Sequence, residues 1–65
     1  MKVVKIKALR EAHVLTQEEL AQMVGVSRET IGYIERGSGA HPKTIRALAE
    51  ALGVEPSELV GVTNE

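Results

Sequence analysis

At 65 residues without a cysteine, the chain can make one domain at most, with neither disulfides nor a thiolate metal site to supplement its core. Its 43% hydrophobic content comes almost wholly from Val, Leu, Ile, Ala and Met, with Tyr33 the single aromatic residue, which suits close-packed helices. A formal charge of −1 excludes a uniformly basic surface, yet Lys2, Lys5, Lys7 and Arg10 hold half of the eight lysines and arginines, so one cationic face remains compatible with it.

The first helix is expected from about Val3 to His13, with Ile6 and Leu9 on one stripe. The second opens in TQEELAQMVG, where Thr16 followed by Glu19 is a capping-box signature ahead of Leu20, Ala21 and Val24. Gly25 ends it, in the place that calls for a left-handed residue. Ser27 is the N-cap of a third helix that reaches Arg36, with Ile31 and Ile34 inward. The fourth begins at HPKT with Pro42 in its first turn, and Ile45, Leu48, Ala49 and Leu52 keep the i, i+3, i+4, i+7 pattern up to Gly53. A fifth short helix, EPSELV, repeats the proline device and buries Leu59 and Val60.

No segment sustains period-2 alternation, and no NG or DG hairpin signal occurs. The expectation is an all-α fold of five helices, with residues 1–65 forming a single domain. No run approaches the roughly 18 apolar residues of a membrane span, and the lysine-interrupted N-terminus lacks the apolar stretch of a secretory signal. A cytoplasmic protein without a membrane partner is expected. His13 and His41 fit no ligand pattern and neither has a nucleophile in reach, so no metal, cofactor, small-molecule ligand or enzymatic activity is expected.

The second and third helices, joined by a glycine-bearing turn, make a helix-turn-helix unit over residues 17–36. Its inward positions are Leu20, Ala21, Val24, Val26, Ile31 and Ile34, and Ala21 permits the close crossing. Residues 6 to 60 resemble the Cro/CI-type (XRE-like) helix-turn-helix domain of lambdoid phage repressors. The resemblance rests on Leu9-Arg10, Leu15-Thr16-Gln17-Glu18-Glu19-Leu20-Ala21, Gly25-Val26-Ser27, Thr30-Ile31, Ile34-Glu35-Arg36-Gly37 and Leu48-Ala49-Glu50-Ala51-Leu52-Gly53-Val54.

The resemblance implies a compact five-helix, lambda-repressor-like fold whose third helix, 28–36, enters the major groove of double-stranded DNA. With Ile31 and Ile34 inward, Arg28, Glu29, Gly32, Tyr33 and Arg36 form one strip on the opposite face. Arg28 is suited to guanine O6 and N7; Glu29 either accepts from cytosine N4 or stabilises the helix N-terminus. Gly32 is either a gap that lets the backbone approach the groove floor, with Tyr33 extending over it, or a tolerated exposed glycine.

Phosphate contacts are implied for Gln17, Ser27, Arg36, Gly37 and Lys43. Arg10 and Glu35 occupy positions where the family commonly has an ion pair between helices one and three. Two departures stand out. Ser38-Gly39-Ala40-His41 replaces a stretch often rich in lysine or arginine, which predicts a shallow salt dependence. Val14 stands where relatives often carry glycine, so the loop between helices one and two is expected to differ.

The implied function is sequence-specific DNA binding, in a transcriptional regulator or repressor or in an engineered binder. The alternative on the same fold is a protein-interaction or antitoxin-like module. Pro56, Leu59, Val60 and Val62 offer only a small surface for a weak homodimer.

Overall fold

The computed structural model describes residues 2–60. Four α-helices, α1 (Ile6–Ala12), α2 (Gln17–Val24), α3 (Arg28–Glu35) and α4 (Pro42–Leu52), are followed by one 3-10 turn at Pro56–Glu58. The expected fifth helix is therefore this turn. Glu58 closes it by accepting from the Glu55 N–H at 3.1 Å, and Leu59 then drives directly into the core, which leaves too little chain to propagate a helix.

The start of α1 differs as well. Val3, expected to be helical, forms an isolated antiparallel bridge with Val60, and the Val4 N–H donates to Leu59 O at 2.6 Å. Pairing the two ends buries Val3 to 5% exposure, so packing against the C-terminal segment outweighs one more helical turn. At its other end α1 is tied to α4, because His13 Nε2 donates to Leu52 O at 2.9 Å.

The core collects inward residues from all four helices and from the segments that flank them: Val3 and Ile6, Leu20 and Ala21, Ile31 and Ile34, then Ile45, Leu48, Ala49, Leu52 and Leu59. Leu9, Leu15, Val24 and Val26 pack half-buried around it. Ala21 is 2% exposed in the packed α2–α3 pair, where a longer side chain would force the two helices apart.

All four helices end alike: a left-handed residue follows, and the next N–H donates to a carbonyl five residues back. The donors and acceptors are Leu15 to Arg10, Val26 to Ala21, Ser38 to Tyr33 and Val54 to Ala49, at 3.0–3.1 Å. The left-handed residue is a glycine in three cases, but after α1 it is Val14, with φ 56°. The loop does not differ to relieve the valine, as expected from the sequence; the two hydrogen bonds, with Val14 N donating to Glu11 O at 3.0 Å, hold the strained residue in place.

Val14 is 87% exposed, so its side chain returns little packing for that strain. Val14→Gly should raise stability by about 1 kcal/mol, the left-handed penalty of roughly 1–2 kcal/mol being partly offset by glycine's greater freedom in the unfolded chain. Equilibrium urea unfolding measures this; a lower midpoint would contradict the strain assignment.

One polar cluster crosses the base of α3. Arg10, only 9% exposed, meets Glu35 through Nε–Oε2 at 2.5 Å and Nη2–Oε1 at 3.2 Å. Its Nη1 donates to Leu15 O at 2.7 Å, and Gln17 Nε2 donates to Glu35 Oε1 at 3.0 Å. The carboxylate thus joins α1, α2 and α3, and Arg10 ties in the loop after α1. Burial, the largest single influence, pushes the Glu35 carboxyl upward. The hydrogen bonds from Arg10 and Gln17 and the charges of Arg10 and Lys7 together outweigh it and hold the group below its usual range.

Because the folded value lies below the unfolded one, the ionised Glu35 contributes stability above roughly pH 4.3 that is lost as pH falls through the folded pKa. Glu35→Gln should flatten this part of the acid limb in urea unfolding measured across pH. Arg10→Met, which strands the carboxylate, should cost about 3–5 kcal/mol, and adding Glu35→Leu should recover most of that loss. A double variant no more stable than Arg10→Met alone would contradict a strongly coupled pair.

Candidate nucleic-acid interface

The start of each helix in the central pair is fixed by its own sequence. Thr16 Oγ1 accepts from Glu19 N at 3.0 Å while Glu19 Oε1 accepts from Thr16 N at 2.8 Å, which turns that carboxylate back onto the helix end. Ser27 Oγ accepts from Thr30 N at 3.1 Å and pairs with the Thr30 hydroxyl at 2.9 Å. Gly25 in the turn takes φ 78° and redirects the chain between the two helices.

With Ile31 and Ile34 buried, Arg28, Glu29, Tyr33 and Arg36 stand exposed on the opposite face of α3. Together with Gly32 and with Gln17 from the first turn of α2, they line a shallow hollow of about 170 Å³. Ser27, Gly37 and Lys43 are exposed but lie outside that hollow, and the Ser27 hydroxyl is engaged in capping.

Gly32 is not the open gap that its place in the strip suggests. It is buried, because longer side chains fold over it. A β-carbon at this position would meet Arg36 Nη1 at 3.5 Å and Gln17 Nε2 at 4.0 Å. The Arg36 guanidinium carbon also lies 5.1 Å from the centre of the Tyr33 ring, within cation–π range. Their common face is legible in the sequence, and their contact is a finding of the structure. Their i, i+3 and i, i+4 spacings were the signal that could have found it.

Gln17 is held from behind. Glu35 accepts from its amide, and as the first residue of α2 it brings that helix's unpaired backbone N–H groups to the rim of the hollow. Arg28 and Arg36, with Glu29 between them, thus stand exposed on one face of a chain whose net charge is −1.

Elsewhere, Pro42, Ile45, Arg46, Pro56, Ser57 and Val60 border an apolar groove of about 310 Å³. Leu59, expected to offer a contact to a second copy, is fully buried and cannot, and Val62 lies outside the described residues. Among the described residues no group of three or more His, Asp or Glu is placed to hold a metal ion, and no helix is long and apolar enough to cross a membrane.

Comparison with known proteins agrees with this geometry. Residues 6–59 match the family described as Helix-turn-helix. The immunity repressor protein of Bacillus phage phi105 is 40% identical over 58 residues, which are 88% of this chain and 40% of that protein. Antitoxin PezA of Streptococcus pneumoniae is 37% identical over 57 residues, 86% of this chain and 36% of the antitoxin. The chain therefore spans well under half the length of these two relatives. Among solved structures, the restriction-modification controller protein C.AhdI from Aeromonas hydrophila matches with a TM-score of 0.79 and 40% identity over 83% of each chain. By its capped helix pair, the face that pair presents and these matches, the chain belongs to the helix-turn-helix family of the Cro/CI (XRE-like) type.

Proposed function

We propose that residues 1–65 act as one helix-turn-helix domain that binds double-stranded DNA sequence-specifically and serves transcriptional regulation in the cytoplasm. The observation that carries this reading is the shared face of α2 and α3, where Gln17, Arg28, Glu29, Tyr33 and Arg36 converge on one hollow above a buried ionic support. A helix entering the major groove reads base edges with its N-terminal part, while a second helix meets the backbone end-on. Arg28, in the first turn of α3, is the donor for a guanine, and Glu29 beside it selects a base that offers an amino group. Gln17 and the N–H groups of α2 take a phosphate, and Ser27, Gly37 and Lys43 hold the strands on either side.

The domain acts by binding, with no catalytic step and no cofactor. Any pairing of copies would use the small area around Pro56 and Val60 on the apolar groove, so the domain is a monomer in solution that either pairs on DNA or binds one site alone. The match to an antitoxin and the net charge of −1 favour a second reading, a protein-interaction module on the same fold. The exposed and unpaired charges of Arg28 and Glu29 weigh against it, since a protein partner's site on this fold would not require that strip.

Duplexes selected from a random pool, titrated at several salt concentrations, test the proposal. Arg28→Ala should cost about 1–3 kcal/mol on the selected duplex and relax preference at one base pair. Gln17→Ala should weaken every duplex alike, and Lys43→Ala should lower the slope of log affinity against log salt by about 1. Affinity insensitive to both sequence and salt would overturn DNA binding in favour of the protein-partner reading.

A further inference from the structure

We infer that Arg36 reads a base, most simply a guanine, from a seat formed by Gly32 and Tyr33, instead of holding a phosphate at the helix end. The inference rests on α3 lying in the major groove as proposed above. Arg36 is the residue that closes α3. Side chains on a helix sweep back toward its N-terminus, so from this position Arg36 passes over the preceding turn. Its Nη1 stands 3.5 Å from where a Gly32 β-carbon would be, and its guanidinium carbon lies 5.1 Å from the Tyr33 ring centre. The positive group therefore sits about one turn nearer the start of α3, on the hollow it shares with Arg28 and Glu29.

Two features of the chain create this seat. A glycine at 32 leaves the guanidinium a bare stretch of helix to rest on, and any side chain with a γ atom would fill that space. Tyr33 supplies a ring within cation–π reach of the guanidinium, whose Nη1 lies over Gly32. Among the described residues, the guanidinium donors have no hydrogen-bond or ion-pair acceptor. The nearest carboxylate in sequence, Glu35, already accepts from Arg10 with both oxygens and from Gln17 with one.

A guanidinium held over the middle of the recognition face can turn its planar fork to the groove floor, where guanine offers O6 and N7. Phosphates line the groove edges, and reaching one would require Arg36 to leave both the Tyr33 ring and the Gly32 seat. Holding the fork in place beforehand also reduces the side-chain freedom lost on binding. Arg36 is thus a specificity-determining residue, and Gly32 and Tyr33 position it.

The test uses the duplex selected by the wild-type chain, the set of its single base-pair changes, and a random duplex, each at two salt concentrations. Arg36→Ala should weaken the selected duplex roughly 5- to 150-fold and abolish discrimination at one G·C pair, with random-duplex affinity and salt slope unchanged. Arg36→Lys, which keeps the charge without the fork, should lose the same discrimination. Gly32→Leu should act at that same base pair, whereas Gly32→Ala, whose methyl meets Nη1 only at contact distance, should not. Thermal unfolding of each variant keeps folding losses separate from binding losses.

Uniform weakening of all duplexes by Arg36→Ala with a shallower salt slope would overturn the inference and make Arg36 a phosphate contact. No change on any duplex would overturn it as well. Both results leave the DNA-binding reading intact, whereas a wild-type chain that selects no duplex removes that reading and this inference together.

Discussion

The Glu35 carboxylate is the constraint on which the rest of the structure depends. Glu35 is the last residue of α3, yet its two oxygens are held by Arg10 from α1 and Gln17 from α2. A buried charge of this kind stabilises the fold weakly at best, since desolvation offsets most of the attraction. Its effect is geometric: three helices must keep one mutual arrangement or strand a carboxylate away from water. The apolar core alone could tolerate small rotations of α3, because aliphatic side chains repack at modest cost. The ionic cluster adds a directional constraint against them, to the outward face that the burial of Ile31 and Ile34 sets.

That fixed face explains how a nearly neutral chain can present a site for a polyanion. The residues that neutralise Arg10 are internal, whereas Arg28 and Arg36 are left exposed on one side together with Gln17. Net charge is an average over the surface, and binding depends on the potential at one patch. On the proposed reading, the thin basic content of residues 38–41 leaves recognition to a few side chains on α3 rather than to many phosphate contacts. In such an arrangement the fit of each recognising side chain matters more, and Gly32 with Tyr33 gives Arg36 a defined place.

Strain is accepted where the fold leaves no alternative. The end of α1 requires a left-handed residue because Leu15 must turn back onto Arg10, whose side chain in turn holds Leu15 O. Valine at 14 pays for that geometry without returning any packing. The conflict between a β-branched residue and this backbone is legible in the sequence, but the change of loop expected from it does not occur. A local penalty of one or two kcal/mol cannot compete with a loop anchored at both ends.

Local signals made much of the helix pattern legible from the sequence alone. The Thr16–Glu19 box, the Ser27 cap, Pro42, and the glycines at 25 and 53 mark helix ends because each satisfies or relieves a backbone group within a few residues of itself. Periodicity likewise separated Ile31 and Ile34 from the exposed strip. What the sequence could not reveal depends on residues distant along the chain. Val3 left the helix because Val60 was there to pair with it, and Gly32 was covered because Arg36 and Gln17 folded over it. By itself the sequence determined where the helices end and which of their faces are apolar, since both follow from neighbours in the chain. Only the tertiary structure decided what lies on those faces, because long polar side chains take their positions from partners that folding brings together.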